Sequence, residues 1–367
     1  MKFTCDKSLL QDAINTAQKA VTGKSTMNIL EGLLLIANED ELIIIGSDVD
    51  LSIETKIKID VIESGKIVLD SKLFGEVVKK MPNAEVLINT LENNTVEVIC
   101  EKSKAVLKYM KADEFPSIPT IDENLLFSIS QKMLKNMIKS TIFAIAQDEI
   151  RPILTGVKFE IFNKKLNLVA LDGLRLALKS EEVDTDSSIS AVIPGKTLSE
   201  VSKILEDTDE NVNIIFSSNN ILFSLGNTKI ISRLLEGEFI NYNSIIPDEY
   251  KLKVIAKRNE LLECIERASL MAKEGNTNLV KLDIKDDLLI ITSDSQLGKA
   301  REELNVLMQG EALKIAFNAK FLIDVLKVIE EEEIVFELSS NVSPGIIRNK
   351  EKNNSIYLVL PVRFIES

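Results

Sequence analysis

The 367-residue sequence predicts an α+β fold built as three tandem repeats, and two observations carry that prediction. The first is a set of matching segments: "IVLDSKLFGEVVKKM" from Ile67, "AVIPGKTLSEVSKIL" from Ala191 and "KIAFNAKFLIDVLKVI" from Lys314. Each reads as a short apolar strand, a two-residue turn, a lysine and an amphipathic helix. The lysines, Lys72, Lys196 and Lys320, are spaced by 124 residues both times. The second observation is that other landmarks keep the same period. Asp48, Asp172 and Asp294 follow at spacings of 124 and 122, and Phe115 and Phe239 are again 124 apart. The repeats therefore span 1–121, 122–247 and 248–367, with Pro116, Pro119 and Pro247 marking the joints.

Each repeat divides into two similar halves. In the first repeat a strand at Lys2–Cys5 leads to a helix over Lys7–Val21, and strands follow near Leu30–Ala37, Glu41–Gly46 and Leu51–Ile59. The second half has a strand at Lys66–Leu69 and a helix at Ser71–Met81, then strands near Val86–Asn89, Val96–Cys100 and Lys104–Met110. Strand, helix and three strands, twice per repeat, pack as two helices on one side of antiparallel sheets. The same pattern predicts helices over 131–145, 196–205, 258–273 and 319–329.

Composition narrows the chemistry. A net charge of −13 argues against wrapping nucleic acid with the whole surface. The absence of histidine removes Ser-His-Asp and Cys-His catalysis and every histidine-ligated metal site. Cys5, Cys100 and Cys264 have no Cys-x-x-Cys spacing and read as reduced residues of a cytosolic protein. With no signal-like apolar run at the start and no stretch of 18 apolar residues, a cytoplasmic location without a membrane partner is expected. No cofactor and no metal are expected. "SDVD" at 47–50 lacks further ligands around its aspartates, and "EEEE" at 330–333 reads as the acidic end of a helix in solvent. "TGKST" at 22–26 resembles part of a phosphate loop, but Gln18 stands where such a loop needs its first glycine.

The charge is unevenly placed. The six helical windows sum to +8, so the rest of the chain carries −21. Lysine-rich helix faces can serve solubility alone. Alternatively, equivalent helices present one surface to a polyanion, which the recurrence of Lys72, Lys196 and Lys320 favours. On this reading Lys79, Lys80, Lys132, Lys135, Lys139 and Lys203 join them as DNA-contacting residues. A nucleotide-dependent enzyme, motivated by "TGKST", and a repeat-built scaffold that never touches DNA are the competing readings.

Further stretches carry a family resemblance: "MKFTCDKSLL" at the start, "RPILTGV" at 151–157, "LDGLRLA" at 171–177, "VIPGK" at 192–196 and "LVLPVR" at 358–363. In their order and spacing the chain resembles the bacterial sliding clamps, the beta subunits of DNA polymerase III, over essentially its whole length. The resemblance implies a three-repeat DNA-clamp fold. Two chains join head to tail as a homodimeric ring, with helices lining the hole and sheets outside. It implies double-stranded DNA as a partner, held without regard to sequence, and no catalysis by the chain itself. It also implies protein partners: the DNA polymerase III catalytic subunit, the clamp-loader complex, and other polymerases, ligase and mismatch-repair proteins that reach the clamp through short peptides. Lys24 is added to the DNA-contacting residues.

Read alone, "DGLR" is a strand-turn-strand corner with Asp172 in a turn role, like "SDVDLS" and "SDSQLG" in the other repeats. The resemblance makes this corner one border of a peptide groove. It draws on Leu154, Leu171, Gly173, Leu174, Arg175 and Leu176, on Ile240, Ser244 and Ile245 at the joint, and on Val342, Leu358, Leu360, Pro361, Val362 and Arg363. Such a groove is mostly aliphatic with arginines at its rim. Leu174 stands where relatives often have histidine, "FI" replaces a common "FP" at 239–240, and the tail "FIES" is expected near the groove mouth. At a head-to-tail seam, Lys102, Lys104 and Lys108 on a sheet edge are expected to face Glu302 and Glu303, and the resemblance implies Val106 and Leu107 packing against Leu270 and Met271.

Overall fold

The computed structural model describes residues 1–23, 27–119, 121, 125–272, 278–296 and 298–364. Among them are six α-helices: α1 (Lys7–Ala17), α2 (Ser71–Lys80), α3 (Gln131–Lys139), α4 (Gly195–Ile204), α5 (Arg258–Ala272) and α6 (Ala319–Val328). Strand passes into helix without the expected two-residue turn, and at α2 and α6 a polar residue ending the strand caps the helix. Asp70 accepts from the Leu73 amide at 2.7 Å, and Asn318 accepts from the Lys320 amide at 2.9 Å. Asp6 caps α1 in the same way, accepting from Ser8 and Leu9. Each such cap stabilises its helix by about 1 kcal/mol.

Helix α3 ends at Lys139, well short of residue 145. The Thr141 hydroxyl donates back to the Met137 and Ile138 carbonyls at 2.9 and 3.3 Å, occupying terminal acceptors. A 3-10 turn, Ile142–Ala144, follows. The acidic run at 330–333 also differs from expectation, since it lies beyond α6. The Glu332 carbonyl accepts from the Arg258 amide at 2.8 Å, and Glu333 pairs with Lys350 at 2.5 Å.

The chain forms two compact units, Met1–Met133 with Ser199–Leu234 and Leu134–Leu198 with Leu235–Ser367. Both cut the central repeat, because its strands join different sheets. In the first unit one sheet runs from Leu125–Ser130 through Asn211–Phe216, Asn220–Leu225 and Thr228–Arg233 to Leu51–Lys58, Glu41–Ser47 and Gly32–Asn38. It continues through Gly65–Asp70, Ser103–Lys111, Thr95–Cys100, Glu85–Leu91 and Lys2–Asp6 to Asp60–Glu63. All twelve ladders of these thirteen strands are antiparallel. Asp60–Glu63 is an additional strand that the hydropathy pattern does not announce. It edges the sheet beside Lys2–Thr4. Helices α1 and α2 bury Leu10, Ile14, Phe74 and Val78 against Phe3, Leu35, Ile44 and Val98. Full burial of each large side chain contributes about 1.5–3 kcal/mol.

The second unit holds a nine-stranded sheet: Ile189–Pro194, Gly156–Phe162, Lys165–Leu171, Arg175–Glu182, Ser355–Val359, Gly345–Asn349, Glu333–Leu338, Leu252–Lys257 and Leu307–Gly310. A separate sheet orders Gly298–Asn305, Leu288–Ser295, Leu279–Lys285 and Leu313–Asn318. These sheets are antiparallel as well. The pairing of Arg175–Lys179 with Ser355–Val359 sets the floor of the site described next. All three cysteines are buried and free. Among the described residues no helix is long and apolar enough to cross a membrane.

Candidate functional site

Four helices carry lysine as their second residue and again seven positions later: Lys72 and Lys79, Lys132 and Lys139, Lys196 and Lys203, Lys320 and Lys327. Seven residues make nearly two turns, so each pair shares one face, about 10.5 Å apart along the axis. All eight side chains are exposed. The opposite faces are buried through Phe74 and Val78, Leu134 and Ile138, Leu198 and Val201, and Leu322 and Val325. Lys327 is absent from the sequence-based set, although its spacing from Lys320 is the same signal that links the other pairs. Helices α1 and α5 break the pattern, with Ser8 and Asn15, and Asn259 and Glu266, at these places. Lys203 is paired with Glu200 at 2.7 Å and Lys327 with Glu266 at 2.8 Å. Lys72, Lys79, Lys132, Lys139 and Lys320 form no ion pair among the described residues. Lys80 is exposed beside Lys79, Lys135 is half-buried, and Lys24 lies outside the described residues.

The second unit also contains an apolar cleft of about 180 Å³ lined by Leu171, Gly173, Leu174, Arg175, Leu176, Ile245, Pro344, Leu358 and Leu360. Leu171, Leu176 and Leu358 form a buried floor, whereas Leu174 and Ile245 stand exposed at the lip. Leu154 lies in the core beneath, packed with this floor. Ile240 packs there too. Ser244, Val342, Pro361, Val362 and Arg363 do not line the cleft. Ser244 turns its hydroxyl to the Asn241 carbonyl, and the Val362 amide donates to the Ala316 carbonyl. Pro344, unmarked in the sequence, completes one wall. The Phe364 ring lies under the Lys281 ammonium at 5.4 Å, outside the cleft lining, and the remainder of the "FIES" tail falls outside the described residues.

Arg175 is not a rim arginine. It is only 7% exposed, and each of its three guanidinium nitrogens donates a hydrogen bond. Its Nε donates to Asp172 at 3.0 Å, Nη1 to Asp324 at 2.6 Å and Nη2 to the Phe143 carbonyl at 2.6 Å. The guanidinium also stacks over Phe321 and Phe143, at 4.5 and 5.5 Å from their centroids. Asp172 takes the turn role expected of it, accepting from the Leu174 and Arg175 amides at 2.9 and 3.0 Å. Gly173 supplies the left-handed backbone this corner needs, with φ +88°.

The corresponding corner of the first repeat has the same backbone but different chemistry. Val49, 124 residues before Gly173, has φ +83°, and Asp48 accepts from the Leu51 amide at 2.8 Å. The Arg233 amide donates to the Asp50 carbonyl at 2.9 Å, as the Leu360 amide donates to Leu174 at 2.9 Å. Ser47, Asp50, Ser52 and Arg233 occupy the places of Leu171, Leu174, Leu176 and Leu360. The buried Ser47 and Ser52 hydroxyls bond each other at 2.8 Å, and Asp50 faces Arg233 at 3.8 Å. Side-chain polarity, with no change of fold, leaves the apolar cleft at the second corner.

The other cleft wall is anchored by a buried phenol. Tyr242 heads the turn Tyr242–Ile245 and donates to Glu160, whose other oxygen binds Lys158 at 2.6 Å. Burial pulls the Glu160 carboxyl up, but bonds from Lys158 and Tyr242 outweigh it and hold the group below its usual value. Burial, reinforced by Glu160, pushes the Tyr242 hydroxyl well above its usual value.

Of the residues expected at a dimer seam, Lys102, Lys104, Val106, Lys108 and Leu270 are exposed and Met271 is half-buried. Leu107 is buried in the first unit's core instead, because alternation along Ser103–Lys111 turns it away from Val106. That strand is an edge only in part. Residues 103–108 pair with Thr95–Cys100 alone, whereas 109–111 pair with Ile67–Leu69. Glu302 and Glu303 lie on an edge strand, but each already has an arginine partner at 2.7 Å, Arg267 and Arg301.

Three family models match in chain order. The N-terminal domain of the DNA polymerase III beta subunit matches residues 1–119, its central domain 128–241 and its C-terminal domain 243–363. The beta sliding clamp of Bacillus subtilis strain 168 is 37% identical over 376 residues, covering 99% of this chain and 100% of the relative. That of Staphylococcus epidermidis is 35% identical over 374 residues, with 99% of each chain covered. Among solved structures, the B. subtilis DNA polymerase sliding clamp superposes with a TM-score of 0.97 at 37% identity, covering 100% of both chains. A Pseudomonas aeruginosa sliding clamp bound to griselimycin gives 0.95 at 28% identity, covering 99% of this chain and 100% of that one.

Proposed function

The chain belongs to the DNA polymerase III beta-subunit family, and from that membership we propose that it works as a ring-shaped DNA sliding clamp. Two copies, each of three domains at 1–121, 122–247 and 248–367, join head to tail around duplex DNA in the cytoplasm. The observation that carries this reading is the repeated lysine pair, exposed on four helices of a chain whose net charge is −13. A protein that slides needs phosphate attraction without base-edge hydrogen bonds, which would pin it to one sequence. Lysine, a flexible and strongly hydrated point charge, supplies that attraction with less geometric demand than arginine.

The apolar cleft takes short peptides from proteins that work on the encircled DNA. These are the polymerase III catalytic subunit, the clamp loader, other polymerases, ligase and mismatch-repair proteins. Leucine and isoleucine walls with few polar groups suit aliphatic and aromatic anchors. The chain contributes tethering and no reaction of its own. Loaded by a clamp loader and ATP, it is expected to stay on nicked circular DNA and to be lost when the circle is cut. Equal retention on both forms would sink the reading.

A further inference from the structure

We propose that Arg175 is a positioning residue that couples the cleft to helix α6, so that a peptide in the cleft alters the hold on DNA. This rests on the clamp reading, which assigns peptide to the cleft and DNA to the lysines of α6.

The cleft's volume of about 180 Å³ is below the roughly 300 Å³ of pockets that enclose a whole small ligand, so a five-residue peptide leaves part of itself outside and bears on the lip, where Leu174 and Ile245 stand exposed. The corner at 172–175 is the wall with room to move. Leu174 is exposed, and a Cβ added to Gly173 would meet no heavy atom within 4 Å. The Leu174 and Arg175 amides share one acceptor, Asp172 Oδ1, so this short turn shifts as a body.

Arg175 carries that shift inward. Its guanidinium binds Asp324 at 2.6 Å and lies on Phe321 at 4.5 Å, and both partners belong to α6. They lie in sequence between Lys320 and Lys327, the exposed lysines of the same helix. A displaced corner therefore either moves α6 with it or breaks the Arg175–Asp324 bond. Packed contacts of this kind change between discrete arrangements more readily than they stretch. Linkage then runs both ways: peptide changes DNA affinity by the factor with which DNA changes peptide affinity.

The test uses the full chain, a 30-base-pair duplex at low salt, and a capped, fluorescein-labelled five-residue peptide carrying leucine and phenylalanine. In the wild type, saturating peptide is expected to shift the DNA dissociation constant by about fivefold or more, with the same factor in the reverse titration. Asp324 does not line the cleft, but it lies beside the lysine face, four residues after Lys320 and three before Lys327. Asp324→Ala should therefore keep peptide affinity and tighten DNA alone slightly, while the peptide-induced shift, read as a ratio within the variant, falls below about twofold. Asp324→Asn keeps an acceptor, guards against a folding defect and should give an intermediate shift. Thermal midpoints report whether each variant is folded. Independent binding in the wild type, with both ligands engaged, would overturn the coupling and leave the clamp reading standing. A full shift retained in folded Asp324 variants would overturn it as well. Failure of the wild type to bind either ligand would overturn both.

Discussion

The Lys327 ammonium lies 2.8 Å from Glu266 Oε1, so the last paired lysine of α6 faces a carboxylate of α5. Both side chains are substantially exposed, and such a pair adds only about 0–1 kcal/mol to stability. Its larger consequence is for charge. Glu266 occupies the ninth place of α5, where α2, α3, α4 and α6 carry lysine. Glu266→Gln should therefore release Lys327 toward phosphate and steepen the salt dependence of DNA affinity by about 0.9 in the log–log slope. Replacing Lys132 and Lys139 together by Ala should flatten it by about twice that amount. Anisotropy titrations across a salt series measure both slopes. No movement in either would leave the lysines as solvated helix faces.

How much of this was readable beforehand depends on the kind of signal. The 124-residue period exposes the repeats because Lys72, Lys196 and Lys320 hold one structural place. Strand alternation locates most strands, but it also assigns faces: along Ser103–Lys111 it turns Leu107 into the core and Val106 outward, so the two do not share a seam. Arg175 carries no comparable local signal. Its three side-chain partners are Asp172, Asp324 and the Phe143 carbonyl, and the last two lie 149 and 32 residues away. No local pattern distinguishes a buried arginine so held from one at a rim. Pro344 enters the cleft for the same long-range reason.

Gly173 and Val49 make a matched experiment at one backbone geometry, with φ of +88° and +83°. An L-residue in this region is strained by about 1–2 kcal/mol, and a β-branched side chain fares worst. Gly173→Val should lower the thermal midpoint and weaken peptide binding. Val49→Gly relieves comparable strain, partly offset by about 0.5–1 kcal/mol of added chain entropy, so its midpoint should hold or rise slightly. A midpoint lost equally in both variants would show that the two corners are not equivalent.

Glu160 gives the cleft a pH dependence of predictable sign. Burial raises its carboxyl pKa, but hydrogen bonds from Lys158 and Tyr242 prevail and hold it below the usual 4.5. A carboxyl lowered in the folded state contributes stability that is present above its unfolded value and disappears as pH falls through the folded one. Tyr242, pushed upward by its burial and then by Glu160, remains a phenol donor throughout this range. Peptide affinity should thus be flat from neutral pH down to about 4.5 and decline below it. Glu160→Gln should remove that decline, which a fluorescence titration at stepped pH would register. A decline that persists in the variant would place the titrating group elsewhere.

Val106 and Leu107 separate association from folding. The strand Ser103–Lys111 leaves residues 103–108 open on one side, and Gly298–Asn305 is an edge strand of its own sheet. A head-to-tail dimer needs two different open edges on one chain, and these are suitable candidates. Their charges already have partners within the chain: Glu302 binds Arg267, Glu303 binds Arg301, and Lys104 binds Glu97. Removing Glu303 by Gln should therefore change dimer stability by only about 0–1 kcal/mol. The exposed apolar groups, Val106 at 53% and Leu270 at 54%, have more to gain from being covered. Val106→Glu should weaken the dimer by about tenfold or more while sparing the monomer's thermal midpoint, because burying an unpaired carboxylate at such a seam is costly. Leu107→Ala should do the reverse, destabilising the core by about 2–5 kcal/mol. Sedimentation velocity over a dilution series resolves the two effects. A Val106→Glu chain that remains dimeric like the wild type would remove this edge from the seam.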